Sequence, residues 1–196
     1  MSTNNGYDPG LAGVLAAETY LSHVDGQKGE LIIAGFPLAR LAANATFEET
    51  IFLLWNGRLP TLAELKTLKN ELARLRPLPS PTLNLLRHAA AHLTPPFDAL
   101  RMAAATLDLG SPQADQQQMA KMIIARIATI VASYHRLRLG EEPIAPRPDL
   151  SHAANFLYML NGTTASVARE RGLETYLNTV VDHGLNASTF VSLVFF

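Results

Sequence analysis

The sequence predicts a mainly α-helical protein with one short N-terminal β-hairpin, and three observations lead there. Two Thr-x-x-Glu tetrads, Thr46 to Glu49 and Thr61 to Glu64, stand just before apolar runs and have the form of capping boxes. Apolar residues recur at three- and four-residue steps over long stretches, which is the period of a buried helix face. The strongest β signal is Asp25-Gly26, a type I′ turn dipeptide, followed by Leu31-Ile32-Ile33.

Composition bounds the answer. A chain of 196 residues, 48% of them hydrophobic, can bury a sizeable core. Sixteen basic and 17 acidic residues give a net charge of −1, which offers no electrostatic case for nucleic acid or anionic lipid. The absence of cysteine excludes a disulfide framework and thiolate chemistry. Met1 to Gly6 lacks the basic and apolar regions of a signal peptide, and no apolar run approaches the ~20 residues of a membrane span. The expectation is a cytoplasmic protein with no nucleic-acid and no membrane partner. Residues 1–10 are expected to be a flexible N-terminus and 11–196 a single helical domain.

In chain order, the hairpin is expected over His23 to Ile33, as the one sheet of the protein. Thr46 and Glu49 open a helix with Phe47, Ile51, Leu54 and Trp55 on one side, stopped by Gly57. Thr61 and Glu64 open another, whose stripe runs Leu62, Leu65, Leu68, Leu72 and Leu75. Pro77, Pro79 and Pro81 break the chain, and a helix follows from Pro81 to about His92. Thr94-Pro95-Pro96 is expected to cap the next, ending at Gly110. Pro112 is expected to open the longest helix, with Met119, Met122, Ile123, Ile127, Ile130 and Val131 apolar, Arg136 and Arg138 near its negative end and Gly140 its stop. A proline-rich connector, 141–148, leads to a helix over Ser151 to Asn161 that is apolar on most faces and so buried or at an interface. The last helix is expected from about Ser166 through Val181.

Several motifs bear on chemistry. His88 and His92 have the i, i+4 spacing of a zinc pair, but no third ligand is evident and two exposed helix histidines explain them better; no metal site is assigned. There is no dinucleotide fingerprint, phosphate loop or nucleophile elbow. His23 and His135 receive no chemical role. His152 follows Asp149 and Ser151, both candidate N-caps, and is read as a buried structural histidine bonded to a carboxylate or carbonyl. His183 is the best site candidate, with Asn186 three residues on and Ser188 five on. It can donate to a carbonyl or carboxylate and titrates near neutrality. On spacing alone, a helix-end histidine in a polar turn is an equally good account.

Two stretches settle the preference. Asp149-Leu150-Ser151-His152-Ala153-Ala154-Asn155-Phe156-Leu157-Tyr158-Met159-Leu160 and Asp182-His183-Gly184-Leu185-Asn186-Ala187-Ser188-Thr189-Phe190 resemble the citrate synthases and 2-methylcitrate synthases. Ser22-His23-Val24-Asp25-Gly26 with Gly29-Glu30-Leu31, then Phe47-Glu48-Glu49, Leu53-Leu54 and Gly57-Arg58-Leu59-Pro60-Thr61, resemble earlier motifs of that family in the same order. The resemblance implies part of the multi-helical large domain of a citrate synthase. It implies condensation of acetyl-CoA, or propionyl-CoA in a 2-methylcitrate synthase, with oxaloacetate, the acyl-CoA being a co-substrate and no resident cofactor being needed. It places His183 and Asn186 against oxaloacetate and makes Ser188 shape the same pocket. The family's acid histidine, its second ketone-binding histidine, its aspartate base and its substrate arginines lie later, so no complete catalytic set is expected. Two departures stand out: Ile33-Ala34-Gly35 replaces a usual Tyr-Arg-Gly, and Val191-Ser192-Leu193-Val194-Phe195-Phe196 replaces an arginine and an alcohol-rich run. The chain is therefore expected to be a truncated product or half of a split enzyme, inactive alone. Its partners would be a second copy in a homodimer or a complementing C-terminal half. The alternative is a non-catalytic dimerisation or regulatory module on the same scaffold.

Overall fold

A computed structural model describes residues 19–109 and 115–182. Three short strands, β1 (Ser22–Asp25), β2 (Glu30–Ile33) and β3 (Phe36–Pro37), form an antiparallel sheet in that order. Eight helices follow among the described residues: α1 (Leu38–Asn44), α2 (Phe47–Asn56), α3 (Leu62–Leu75), α4 (Ser80–Ala91), α5 (Pro96–Ala104), α6 (Gln116–Arg138), α7 (His152–Asn161) and α8 (Val167–Thr179). The mainly α class with an N-terminal hairpin is borne out, and the sheet has one strand more than expected.

The hairpin turns by different chemistry from that expected. Asp25 pairs with Glu30, so the β1–β2 loop has four residues, and the Asp25 carboxylate accepts from the Gln27 and Lys28 N–H groups at 3.1 and 3.0 Å. Gly29, not Gly26, takes positive φ (66°). The two-residue turn with positive φ at both positions is instead Ala34-Gly35 (43° and 85°), between the paired Ile33 and Phe36. It goes unnoticed in the sequence because alanine is a poor left-handed residue.

Both capping boxes form, and Glu49 and Glu64 reach back to the Thr46 and Thr61 N–H groups at 2.7 and 2.8 Å. The faces they launch differ in detail from the expected stripes. α2 buries Ile51 and Leu53 together with Glu48 and Thr50, while Trp55 stays partly exposed. α3 buries Leu68 and Leu72, and Leu62 points to solvent. α5 starts after Pro95 with no side-chain cap, because the N-cap residue is Pro95, whose ring has no acceptor; the carbonyl of Thr94 accepts from the Tyr134 hydroxyl and from Arg138. It ends at Ala104, short of Gly110, where the Thr106 hydroxyl bonds the Ala103 carbonyl (2.7 Å) and the Thr82 hydroxyl (2.8 Å). α6 is capped by Asp115, whose carboxylate accepts from the Gln118 N–H at 2.7 Å; Pro112 lies outside the described residues.

Three apolar clusters hold the elements together. Leu86, Ala99, Ala103 and Ile130 pack α4, α5 and α6; Ile51, Leu68, Leu72 and Ala125 join α2 and α3 to α6; Ile33, Leu41, Ala45 and Leu53 seat α1 and α2 on the sheet. α8 is the exception. Its inward stripe is Arg171, Glu174 and Asn178, with Glu174 and Asn178 buried, whereas Tyr176 and Val180 are exposed. Polar groups, more than apolar area, therefore dock this helix.

Ala34 in a left-handed conformation carries a cost of about 1 kcal/mol that glycine avoids. Ala34→Gly should raise the urea midpoint by an amount equivalent to ~0.5–1 kcal/mol with an unchanged slope.

Candidate functional site

The described structure stops at Asp182, so His183, Asn186 and Ser188 lie outside the described residues. What it describes is how the chain is brought to that point. α8 begins at Ser166, whose hydroxyl accepts from the Arg169 N–H at 3.4 Å, and its last turn closes with the Val180 N–H on the Tyr176 carbonyl. On its inner face the Arg171 guanidinium donates to the Ala45 carbonyl at 2.8 Å and to that of Ala42, both at the C-terminal end of α1. The Asn178 side-chain amide donates to the same Ala45 carbonyl at 2.8 Å. Glu174 accepts from Arg171 at 3.0 Å and orients it. Val181 then packs against the cluster of Ile33, Leu41, Ala45 and Leu53. The orphan carbonyls of α1 are thus satisfied from α8, with positive charge at the negative end of the α1 dipole.

α7 is fixed from the opposite end. Its N-cap Ser151 accepts from the Ala154 N–H at 3.1 Å, and Glu48, on α2, accepts from the His152 backbone N–H at 2.8 Å. Glu48 has no exposure to water. Arg76, also buried, donates to the carbonyls of Arg147 (2.7 Å) and Leu150 (3.0 Å) and holds the connector that leads into α7. Among the described residues, the buried Glu48 Oε2, Arg76 Nε and Asn178 Oδ1 find no hydrogen-bond partner.

His152 is buried, as the sequence reading has it, with its ring 5.2 Å from Phe47 and tilted by 47°. The carboxylate bond expected of it is made by its backbone, not its ring. Burial, and then the Arg76 charge, push its imidazole down to about 4. Burial, and then the neighbouring Glu48 carboxylate, push the Glu174 carboxyl above its usual range, against the pull of Arg171. Of the other histidines, His92 bonds through Nδ1 to the His88 carbonyl at 3.0 Å, and no group of three metal-ligating side chains occurs among the described residues. No helix there is long and apolar enough to cross a membrane.

Two open grooves are almost wholly apolar. One, of about 430 Å³, lies between α6, α7 and α8 and is lined by Phe47, Ile127, His152, Phe156, Leu173 and Leu177. The other, of about 630 Å³, runs between α5 and α6 past Phe97, Leu100, Val131 and Tyr134. Neither brings together the several polar groups that a small, doubly charged oxo acid needs, so both suit packing better than substrate binding. The Arg171, Glu174 and Asn178 clamp was missed in the sequence, where its signal is three polar residues at helical spacing in a segment read only for its length.

Between pH 6.5 and about 4 the unfolded state takes up a proton on His152 that the folded state refuses, so stability falls as pH drops through that window. His152→Phe should flatten the stability–pH curve there by at most about 3 kcal/mol in urea titrations. The raised Glu174 acts in the opposite sense, its contribution being lost as pH climbs through its folded value.

The citrate synthase C-terminal domain family matches residues 10–195. A citrate synthase of Haloferax volcanii is 39% identical over 94% of this chain and 51% of its own length. A Bacillus subtilis citrate/2-methylcitrate synthase is 33% identical over 99% of this chain and 54% of its own. The citrate synthase of Thermoplasma acidophilum, solved as a ternary complex with carboxymethyl coenzyme A and oxaloacetate, superposes with a TM-score of 0.81 at 26% identity, over 93% of this chain and 49% of that one. The chain spans about half the length of the curated relatives it matches. Motif order, helix order and these likenesses agree, and the chain belongs to the citrate synthase family.

Proposed function

We propose that this chain supplies the oxaloacetate-binding part of a citrate synthase, which joins acetyl-CoA to oxaloacetate and, with water, releases citrate and CoA. The observation that carries the reading is the Asp182-His183-Gly184-Leu185-Asn186-Ala187-Ser188 segment, which starts four residues beyond the clamped Asn178, in a chain of this family. In this reading His183 and Asn186 hold oxaloacetate and Ser188 shapes the pocket. A histidine donor on the ketone oxygen stabilises the charge that develops there as the acyl-CoA carbon attacks. Condensation also needs a base to take the proton α to the thioester and an acid to stabilise the enol. Those groups would come from a complementing C-terminal half, and the chain would be inactive without it. Acetyl-CoA or propionyl-CoA is then a co-substrate, and no resident cofactor takes part.

The 2-methylcitrate reaction with propionyl-CoA is the second reading, favoured by the match to a Bacillus subtilis protein named for both activities. A non-catalytic dimerisation module is a third, and the two apolar grooves support it. In each case residues 11–196 act as one helical unit in the cytoplasm, paired with a second copy or with a complementing half.

Calorimetric titration of the purified chain with oxaloacetate tests the principal reading. Binding that weakens at least tenfold in His183→Ala, about 1.4 kcal/mol or more, is the expected result. A folded wild-type chain that ignores oxaloacetate would leave only the module reading standing. Citrate formation by the chain alone would overturn the need for a second half.

A further inference from the structure

We propose that the groove between α5 and α6 binds a linear alkyl carboxylate, with the hydrocarbon chain along Phe97, Leu100, Ile130 and Val131 and the carboxylate on Arg138 and His135. The ligand is distinct from oxaloacetate, and the inference stands apart from the role proposed for His183.

α6 gives the groove a gradient of polarity. Val131, Tyr134, His135 and Arg138 follow at steps of three, one and three residues, so they share one helix face. Seven residues separate Val131 from Arg138, roughly 10 Å at 1.5 Å per residue. The Val131 end is hydrocarbon, with the buried Ile130 at its floor and Phe97 and Leu100 supplied by α5. The other end is basic. Among the described residues, none that lines the groove is acidic. Its volume of about 630 Å³ falls within the roughly 300–1,000 Å³ of small-molecule sites.

The charges around the basic end leave Arg138 without an anion. Asp98 pairs with Arg101 at 3.5 Å, Glu141 with Arg136 at 2.9 Å and Glu142 with Arg87 at 2.7 Å. Among the described residues Arg138 has no carboxylate partner. One of its N–H groups donates to the Thr94 carbonyl at 3.2 Å, which holds the guanidinium beside the start of α5 and leaves its other donors available. The negative end of the α6 dipole lies here too, but it amounts to about half a charge. The carbonyls of His135, Arg136 and Leu137 there already accept from the N–H groups of Leu139, Glu141 and Gly140. A guanidinium takes a carboxylate through two parallel N–H bonds, and the exposed His135 imidazole can add a donor. An uncharged partner laid on the groove would strip water from Arg138 with no return. Oxaloacetate has no chain to cover the apolar walls. An alkyl carboxylate satisfies both ends, and its chain also covers Phe97, which is 77% exposed.

The test is calorimetric titration of the whole chain with hexanoate, octanoate and decanoate, and with octan-1-ol as the uncharged probe. Each methylene that enters the groove should tighten binding by roughly two- to fourfold. Octanoate should bind about three- to fivefold more tightly than octan-1-ol, the scale of an exposed ion pair, and Arg138→Gln should abolish that advantage. Val131→Glu, which sets a like charge among the apolar walls, should weaken octanoate at least tenfold. Both positions are exposed, so the fold is expected to survive. Should Val131→Glu fail to fold, Phe97→Ala replaces it and should weaken octanoate at least threefold. Equal affinity for octanoate and octan-1-ol overturns the basic end as a carboxylate site. Octanoate binding that stays within twofold in Arg138→Gln and in the wall variant places the ligand elsewhere and overturns the proposal. Absence of octanoate binding overturns it as well, and a dimer that Val131→Glu then dissociates would assign the groove to a second copy. Oxaloacetate affinity is read in a separate titration, so either reading can fail without the other.

Discussion

Helix ends leave backbone groups without partners, and in this protein the side chains of other helices complete them. Arg171 on α8 donates to the C-terminal carbonyls of α1; Arg126 on α6 donates to the Leu75 carbonyl, the last of α3, at 3.1 Å; Arg136 on α6 reaches the Leu160 carbonyl near the end of α7 at 3.4 Å. Glu48 on α2 does the converse, accepting from the first N–H of α7. In each case the charge has the sign that the helix dipole favours at that end. Because both partners lie in different elements, every such bond also fixes an interhelical geometry, which apolar contact alone specifies less sharply.

These bonds bury charge, and buried charge is costly unless it is paired. Glu48, Arg76 and Glu174 bear that cost together. Their fields overlap: Arg76 lowers the His152 imidazole, and Glu48 raises the Glu174 carboxyl and partly offsets the effect of burial on Arg76. The junction of α1, α2, α7 and α8 is thus a single electrostatic unit. It carries the chain as far as Asp182, whereas the alanine-rich core of α4, α5 and α6 is held by ordinary close packing.

The two apolar grooves belong to the same description. α8 turns its polar stripe inward and leaves Tyr176 exposed, and Phe97 on α5 is 77% exposed. A large apolar side chain in that state suits a surface that a ligand or another chain covers.

Local features were legible in the sequence because local chemistry decides them. Thr46 with Glu49, and Thr61 with Glu64, define helix starts within four residues, and the order of motifs was enough to point to the family. The β1–β2 loop and the end of α5 were less legible, since Gly29 rather than Gly26 takes the turn and Thr106 finds a hydroxyl 24 residues away. Nothing local marks Glu48 as the cap of a helix 104 residues later, or Asn178 and Arg171 as donors to Ala45. The sequence by itself determined the order of helices, the presence of a hairpin and the family. Only the tertiary structure decided which polar residues are buried and what they hold, because a hydrogen bond between distant residues depends on where the folded chain brings them.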